Sequence, residues 1–351
     1  MTPAQRILSF LRSNAAVSTP PQAAPLSQPT PASLTVGQAK IKLGGLAHSP
    51  GEWECPTGAS RAFEVFEGGT AVRLCLPPTT PASLHTDAYP RTPFTWDSYG
   101  PSGATLPLRP AVLVGVATGW RAMEPPGWGL AALAARCRAE DTFSMDGGPG
   151  FARESLCACA VTLAEFSRYV GSGEAARDAA PLYIFDEGLA QRRFADGTPL
   201  ASEFSVPPCF SGDMVAPGCP LRPLPPSWLL IGPAGSGTPI HNHPHTVGWC
   251  TLLAGTKLWV LLPPDAPEEV LLVGEGNTVT EGEDLSAVEW MALYGAGGGR
   301  QLPSDAVTVL QRPGETVFIP AGWWHCVLNV EPATALSHSL YLERDAALMR
   351  G

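Results

Sequence analysis

The chain is poor in charge: Asp, Glu, Lys and Arg together make up 15% of its 351 residues, and 22 basic residues against 32 acidic ones leave a formal charge of −10. A chain without a basic excess lacks the phosphate-neutralising surface that nucleic acids require, so no direct nucleic-acid binding is expected. No apolar run reaches the 18 residues of a spanning helix, so no membrane association is expected either. None of the nine cysteines forms a CxxC pair; Cys157 and Cys159 come nearest. An odd count in a chain too long to need a disulfide framework predicts mostly buried thiols and a reducing compartment, nucleus or cytoplasm. Acids are missing altogether from residues 1–51, where Arg6, Arg12, Lys40 and Lys42 stand among Ala, Ser, Thr, Pro and Gln. Two readings stand for that segment, an organelle-import sequence or a disordered Pro/Ala tail.

Gly (37) and Pro (38) supply about a fifth of the residues, against about 12% in ordinary usage. That excess, without a repeat, disfavours long helices and favours turns and short strands. After the segment 1–51, residues 52–107 read as an irregular lead-in and 108–345 as one domain. Leu108–Val116 is a strand-like apolar run. Trp128–Arg138 has helical spacing through Leu130, Leu133, Ala134 and Cys137. A second helix is predicted over Thr162–Val170, with Thr162 as N-cap and Glu165 completing a capping box. Residues 195–227 form a long Pro-rich connection, a linker or the flank of a substrate groove, as is the Gly-rich stretch 295–299.

Beyond Ser227 the chain consists of strand-like runs bounded by Gly or Pro: 228–232, 248–253, 257–262, 307–310, 316–319, 326–330 and 335–341. Many short strands of this kind predict a mainly β fold with flanking helices and an antiparallel barrel or jelly-roll core over residues 227–345. Five of the seven histidines fall there. His241 and His243 are spaced i, i+2, which on a strand points both imidazoles to one face. A third ligand would complete a three-ligand facial metal site with open coordination positions. His325, delivered by the turn Pro320-Ala-Gly-Trp-Trp324, is the first candidate; His245 is the second, though Pro244 interrupts the strand before it.

These residues resemble the Jumonji-C (JmjC) oxygenases, in the branch that contains the Jumonji-type lysyl hydroxylases. The similarity is carried in family order by Arg109–Trp120, Ala180–Asp186, Ser227–Pro233, Ser236–His241, Gly255–Pro264 and, most specifically, Arg312–Asn329. It implies a double-stranded β-helix, a jelly-roll or cupin-like barrel, that binds Fe(II) and 2-oxoglutarate and hydroxylates a protein side chain or demethylates it through hydroxylation. By resemblance, His241 and His325 match metal-binding histidines and Lys257 matches the cation that pairs with the distal carboxylate of 2-oxoglutarate. Thr238, Tyr183 and Ser337 match hydroxyl donors to the same cosubstrate, while Trp249 matches a core aromatic. Two positions depart from the pattern: His243 replaces the family's Asp or Glu ligand, and Cys250 replaces an Asn. A non-catalytic JmjC module is the competing expectation. The acidic surface would suit a basic peptide, and a monomer is expected because the chain ends soon after the last barrel strand.

Overall fold

Strands dominate the structure, a computed structural model that describes residues 61–67, 70–76, 89–100, 105–146, 160–177, 181–211, 227–273, 280–281, 287–294, 301–342 and 344–345. The expectations for residues 1–51, for Cys157 and Cys159, for 212–226 of the Pro-rich connection and for 295–299 lie outside the described residues. In chain order the strands are β1 (Arg61–Glu67), β2 (Thr70–Leu76), β3 (Arg91–Pro93), β4 (Ala111–Val114), β5 (Thr142–Asp146), β6 (Ala160–Thr162), β7 (Tyr183–Asp186) and β8 (Ser227–Gly232). There follow β9 (Gly237–His241), β10 (Val247–Ala254), β11 (Lys257–Leu262), β12 (Leu272–Val273), β13 (Thr280–Glu281), β14 (Val307–Gln311), β15 (Glu315–Ile319), β16 (Trp324–Asn329) and β17 (Ala333–Leu340). The helices are α1 (Leu130–Arg136), α2 (Leu163–Gly171), α3 (Glu174–Arg177), α4 (Glu268–Leu271) and α5 (Ala287–Tyr294).

A nine-stranded sheet runs β3-β4-β15-β10-β17-β8-β7-β5-β6, and a four-stranded sheet runs β14-β11-β16-β9. From β8 onward the chain keeps changing sheet: β8, β10, β15 and β17 belong to the larger one, β9, β11, β14 and β16 to the smaller. One such crossing, from β10 to β11, is made at Gly255, whose φ of +82° suits glycine and where a Cβ would meet Pro332 O at 2.1 Å.

Period-two alternation sorts the side chains into three layers. Trp228, Leu230, Cys250, Leu252, Trp259, Leu261, Val327 and Ala335 share one core between the two sheets. On the far side of the larger sheet Leu229, Ile231, Trp249, Phe318 and Leu336 join Leu133, Phe166 and Tyr169 of α1 and α2. On the far side of the smaller sheet Leu258, Val260 and Leu262 pack with Trp290 and Met291 of α5. β11 is therefore buried on both faces, which is why its sequence is an almost unbroken apolar run.

Both predicted helices are present, the first shortened to Leu130–Arg136 and the second at its predicted length over Leu163–Gly171. α1 starts at Leu130 after Gly129 in an extended conformation, while Trp128 before it is buried with its indole N–H donating to Glu203 Oε2 at 2.8 Å. Before α2, Thr162 Oγ1 accepts from the Glu165 N–H at 3.2 Å, as the N-cap reading requires. The Pro-rich connection differs from a loose linker over its described part. Residues 200–203 and 208–210 form short 3-10 turns that bury Leu200, Glu203, Cys209 and Phe210. The Phe210 ring stacks on Trp249 at 5.3 Å and on Phe318 at 6.1 Å. Proline spacing alone does not reveal that this segment carries an aromatic anchor for the outer face of the sheet.

Candidate metal and anion site

β9 ends at His241 and β16 begins just before His325, and the antiparallel register sets these two residues opposite each other. Their rings lie 4.2 Å apart between centroids. His243 sits beyond the end of β9 on non-strand backbone, so strand alternation is not what aims it. The Gly322 N–H instead donates to His243 O at 2.9 Å and ties that segment to the Pro320–Trp324 turn, where Gly322 adopts φ +79°. The His243 ring lies 5.0 Å from His241 and 5.3 Å from His325. One ligand atom from each of the three histidines lies within 4.8 Å of the others, and among the described residues no Asp, Glu or Cys joins them. His245 is exposed and stays outside the cluster.

Second contacts fix the tautomers. His241 Nδ1 bonds to Pro239 O at 2.7 Å and His325 Nδ1 to Trp323 O at 3.1 Å. A carbonyl only accepts, so Nδ1 carries the proton and a neutral ring keeps its lone pair on Nε2. Burial lowers the pKa of all three, that of His243 to about 3; the neighbouring imidazoles add to the lowering at His243 and His325. Three neutral imidazoles with free lone pairs are the form that binds a divalent metal.

The same cavity, about 430 Å³ in volume, has a second polar end. Lys257 is fully buried, and its Nζ donates to Asn329 Oδ1 at 2.6 Å and Tyr183 Oη at 3.0 Å. No carboxylate among the described residues pairs with it, and desolvation draws its pKa down to about 8. The register explains the placement: Lys257, Trp259 and Leu261 of β11 stand opposite Asn329, Val327 and His325 of β16. Four residues along β16, roughly 13 Å of strand, thus separate the histidine end from the lysine end. Thr238 and Ser337 line the cavity, and Ser337 lies in register between Trp228 and Cys250 on the inner face of the larger sheet. Burial pushes the Cys250 thiol up to about 11, so it faces the cavity as a neutral group.

All seven sequence-selected site residues therefore line one cavity. Asn329 and Ser236 were not singled out by sequence reasoning. For Asn329 a signal existed: on a strand beginning near His325, positions 325, 327 and 329 share a face. Ser236 had none, because its contact with Asn329 depends on how the turn before β9 folds back.

Comparison with known proteins gives the geometry a context. Residues 228–340 match the family model described as JmjC domain, hydroxylase. The chain is 36% identical over 166 residues to the bifunctional arginine demethylase and lysyl-hydroxylase psr-1 of Caenorhabditis elegans, covering 46% of this chain and 41% of that protein. It is 34% identical over 188 residues to the arginine-specific demethylase JMJ22 of Arabidopsis thaliana, covering 52% of this chain and 35% of that protein. It is 30% identical over 113 residues to the 2-oxoglutarate and iron-dependent oxygenase JMJD4 of Homo sapiens, covering 32% and 26% respectively. The chain thus spans less than half the length of the curated relatives it matches. The two-sheet core that holds the three histidines lies in the stretch, residues 228–340, that matches the JmjC domain model.

Proposed function

We propose that this cavity is the active site of an iron(II)- and 2-oxoglutarate-dependent oxygenase that hydroxylates a protein side chain, or demethylates one through hydroxylation. The observation that carries the reading is Lys257: a buried ammonium without a carboxylate partner among the described residues, facing a cavity whose other end holds three neutral imidazoles. The alternation of β8–β11 and β14–β17 between two sheets supports reading the barrel as a double-stranded β-helix.

In this reading His241, His243 and His325 hold the iron, and Lys257, with the hydroxyls of Tyr183, Thr238 and Ser337, receives the cosubstrate. When bound, iron(II) and 2-oxoglutarate would supply the oxygen activation, dividing dioxygen between the 2-oxo acid, which loses carbon dioxide and takes one oxygen atom to become succinate, and the substrate C–H bond, which takes the other. The protein's own part is to position and to exclude water. The Nδ1 bonds to Pro239 and Trp323 keep two imidazoles aimed before any metal arrives, which lowers the ordering cost of binding. Trp259 and Val327, between the two polar ends, keep the slot apolar, so that the attraction of Lys257 for a carboxylate is screened less than in water. With His243 in place of an acid, the ligand set neutralises neither charge of a divalent ion, which adds to the pull on a dianionic cosubstrate.

The relatives named for arginine and lysine chemistry support a protein side chain as substrate. The formal charge of −10 suits a basic peptide, but no Asp or Glu lines the cavity among the described residues, so such selection would act outside it. The missing carboxylate ligand favours a second reading, a JmjC fold that binds without turnover. One assay decides between them: succinate formed from 2-oxoglutarate by purified protein with Fe(II), in air and without it. Oxygen-dependent succinate above a His241→Ala control supports the oxygenase; none, with any tested peptide or without, favours the binding module.

A further inference from the structure

The two side chains that hold Lys257 leave its positive charge where it is. Asn329 offers a neutral amide oxygen at 2.6 Å and Tyr183 a neutral hydroxyl at 3.0 Å. The orientation of Asn329 is fixed in turn. Its Nδ2 donates to Ser236 Oγ at 2.9 Å, and that hydroxyl donates to Pro233 O at 2.7 Å. Its main chain is bound to the same turn, with the Asn329 N–H donating to Ser236 O at 2.8 Å and the Gly235 N–H to Asn329 O at 2.7 Å. Because Nδ2 faces a hydroxyl already committed as a donor, Oδ1 must face Lys257. The cluster closes over Gly232, where a Cβ would come within 2.2 Å of Ser236 Oγ and 2.6 Å of both Asn329 Nδ2 and Tyr183 Cδ2. Any larger residue there would push the three apart.

We propose that Asn329 is a positioning residue of this cavity: a neutral acceptor, braced by Ser236 over Gly232, that fixes Lys257 Nζ in place and leaves its charge free for the distal carboxylate of a dicarboxylate ligand. The proposal rests on the reading of Lys257 as the anchor for that carboxylate. An aspartate in its place has nearly the same shape but would supply an internal counter-ion, and the lysine would then have little net attraction left for a ligand. An alanine would free the lysine without neutralising it. Charge and packing therefore order the two variants differently.

The experiment compares wild type, Asn329→Ala and Asn329→Asp, each loaded with Mn(II), by calorimetric titration with two probes: 2-oxoglutarate, and pyruvate, which lacks the distal carboxylate. Asn329→Asp is expected to weaken 2-oxoglutarate at least tenfold, to leave pyruvate within about twofold, and to keep or raise the melting temperature of the metal-free protein. Asn329→Ala is expected to weaken 2-oxoglutarate less and to lower the melting temperature. A merely structural role would make affinity follow stability. Wild-type affinity for 2-oxoglutarate in Asn329→Asp, or an equal loss for both probes, would overturn the proposal. If wild type binds no 2-oxoglutarate, it is the oxygenase reading that fails, and the pH dependence of melting then judges Asn329. Among the described residues, Tyr183 and Cys250 are the other titratable groups facing Lys257. In Asn329→Asp the new carboxylate becomes the counter-ion, and the alkaline gain in stability that a desolvated Lys257 gives wild type should disappear; its persistence would overturn the proposal.

Discussion

His243 stands where, by the sequence resemblance, a carboxylate would be expected, and its ring is held in the cluster by a backbone bond from Gly322 rather than by a strand. If it is a ligand, His243→Ala should lower bound Fe(II) or Mn(II) by an order of magnitude or more in equilibrium dialysis, while His245→Ala, at an exposed neighbour, leaves it unchanged. Equal metal content in wild type and His243→Ala would remove it from the set. Lys257 makes the sharper energetic statement. Its pKa falls from 10.5 to about 8 on folding, so between those values the unfolded chain binds more protons than the native one. Stability therefore rises with pH through that window, by something of order 3 kcal/mol in the metal-free protein. Lys257→Met should abolish this rise, stabilise the metal-free fold near neutral pH and lose 2-oxoglutarate binding, as expected where function retains a costly buried charge. Chemical denaturation at pH 7 and pH 10 measures the first two effects.

At the scale of elements, the site is a product of register. β16 brings His325 opposite His241 and, two pleats away, Asn329 opposite Lys257, so one strand aligns both polar ends. Where β9 meets β16, a Cβ on Gly237 would lie 1.9 Å from Val327 O, which only a glycine allows. Gly237→Ala should therefore shift β9 off β16, cost about 1–3 kcal/mol and weaken metal binding by displacing His241; a melting curve and a metal titration together check it. Much of this was legible in the sequence, because short strands bounded by Gly and Pro are local signals. The HxH pair and the Trp-Trp-His turn are likewise each read from a few consecutive residues. The rest depended on distant packing. His243 looked like a strand residue because spacing cannot show that β9 ends at His241. Ser236 carried no signal, since its partner is 93 positions away. Phe210 was hidden inside a proline pattern that reads as a linker, though its ring is stacked on Trp249.

For the molecule as a whole, the layers divide the labour. The two outer cores, one under α1 and α2 and one under α5, clamp the sheets, and the core between the sheets leaves room for a cavity at one end. Phe210 belongs to the first of these, so Phe210→Ala should cost about 3–5 kcal/mol of stability without changing the cavity lining. The expected signature is a lower denaturation midpoint with 2-oxoglutarate affinity retained under native conditions; a selective loss of affinity at unchanged stability would contradict it. The central claim is that a metal end and an anion end share one cavity. Anaerobic calorimetric titration of 2-oxoglutarate into Fe(II)-loaded protein tests it most directly. The account predicts a single site that weakens without Fe(II) and is lost in Lys257→Met; no binding by the Fe(II)-loaded wild type, or binding indifferent to Lys257, would contradict it.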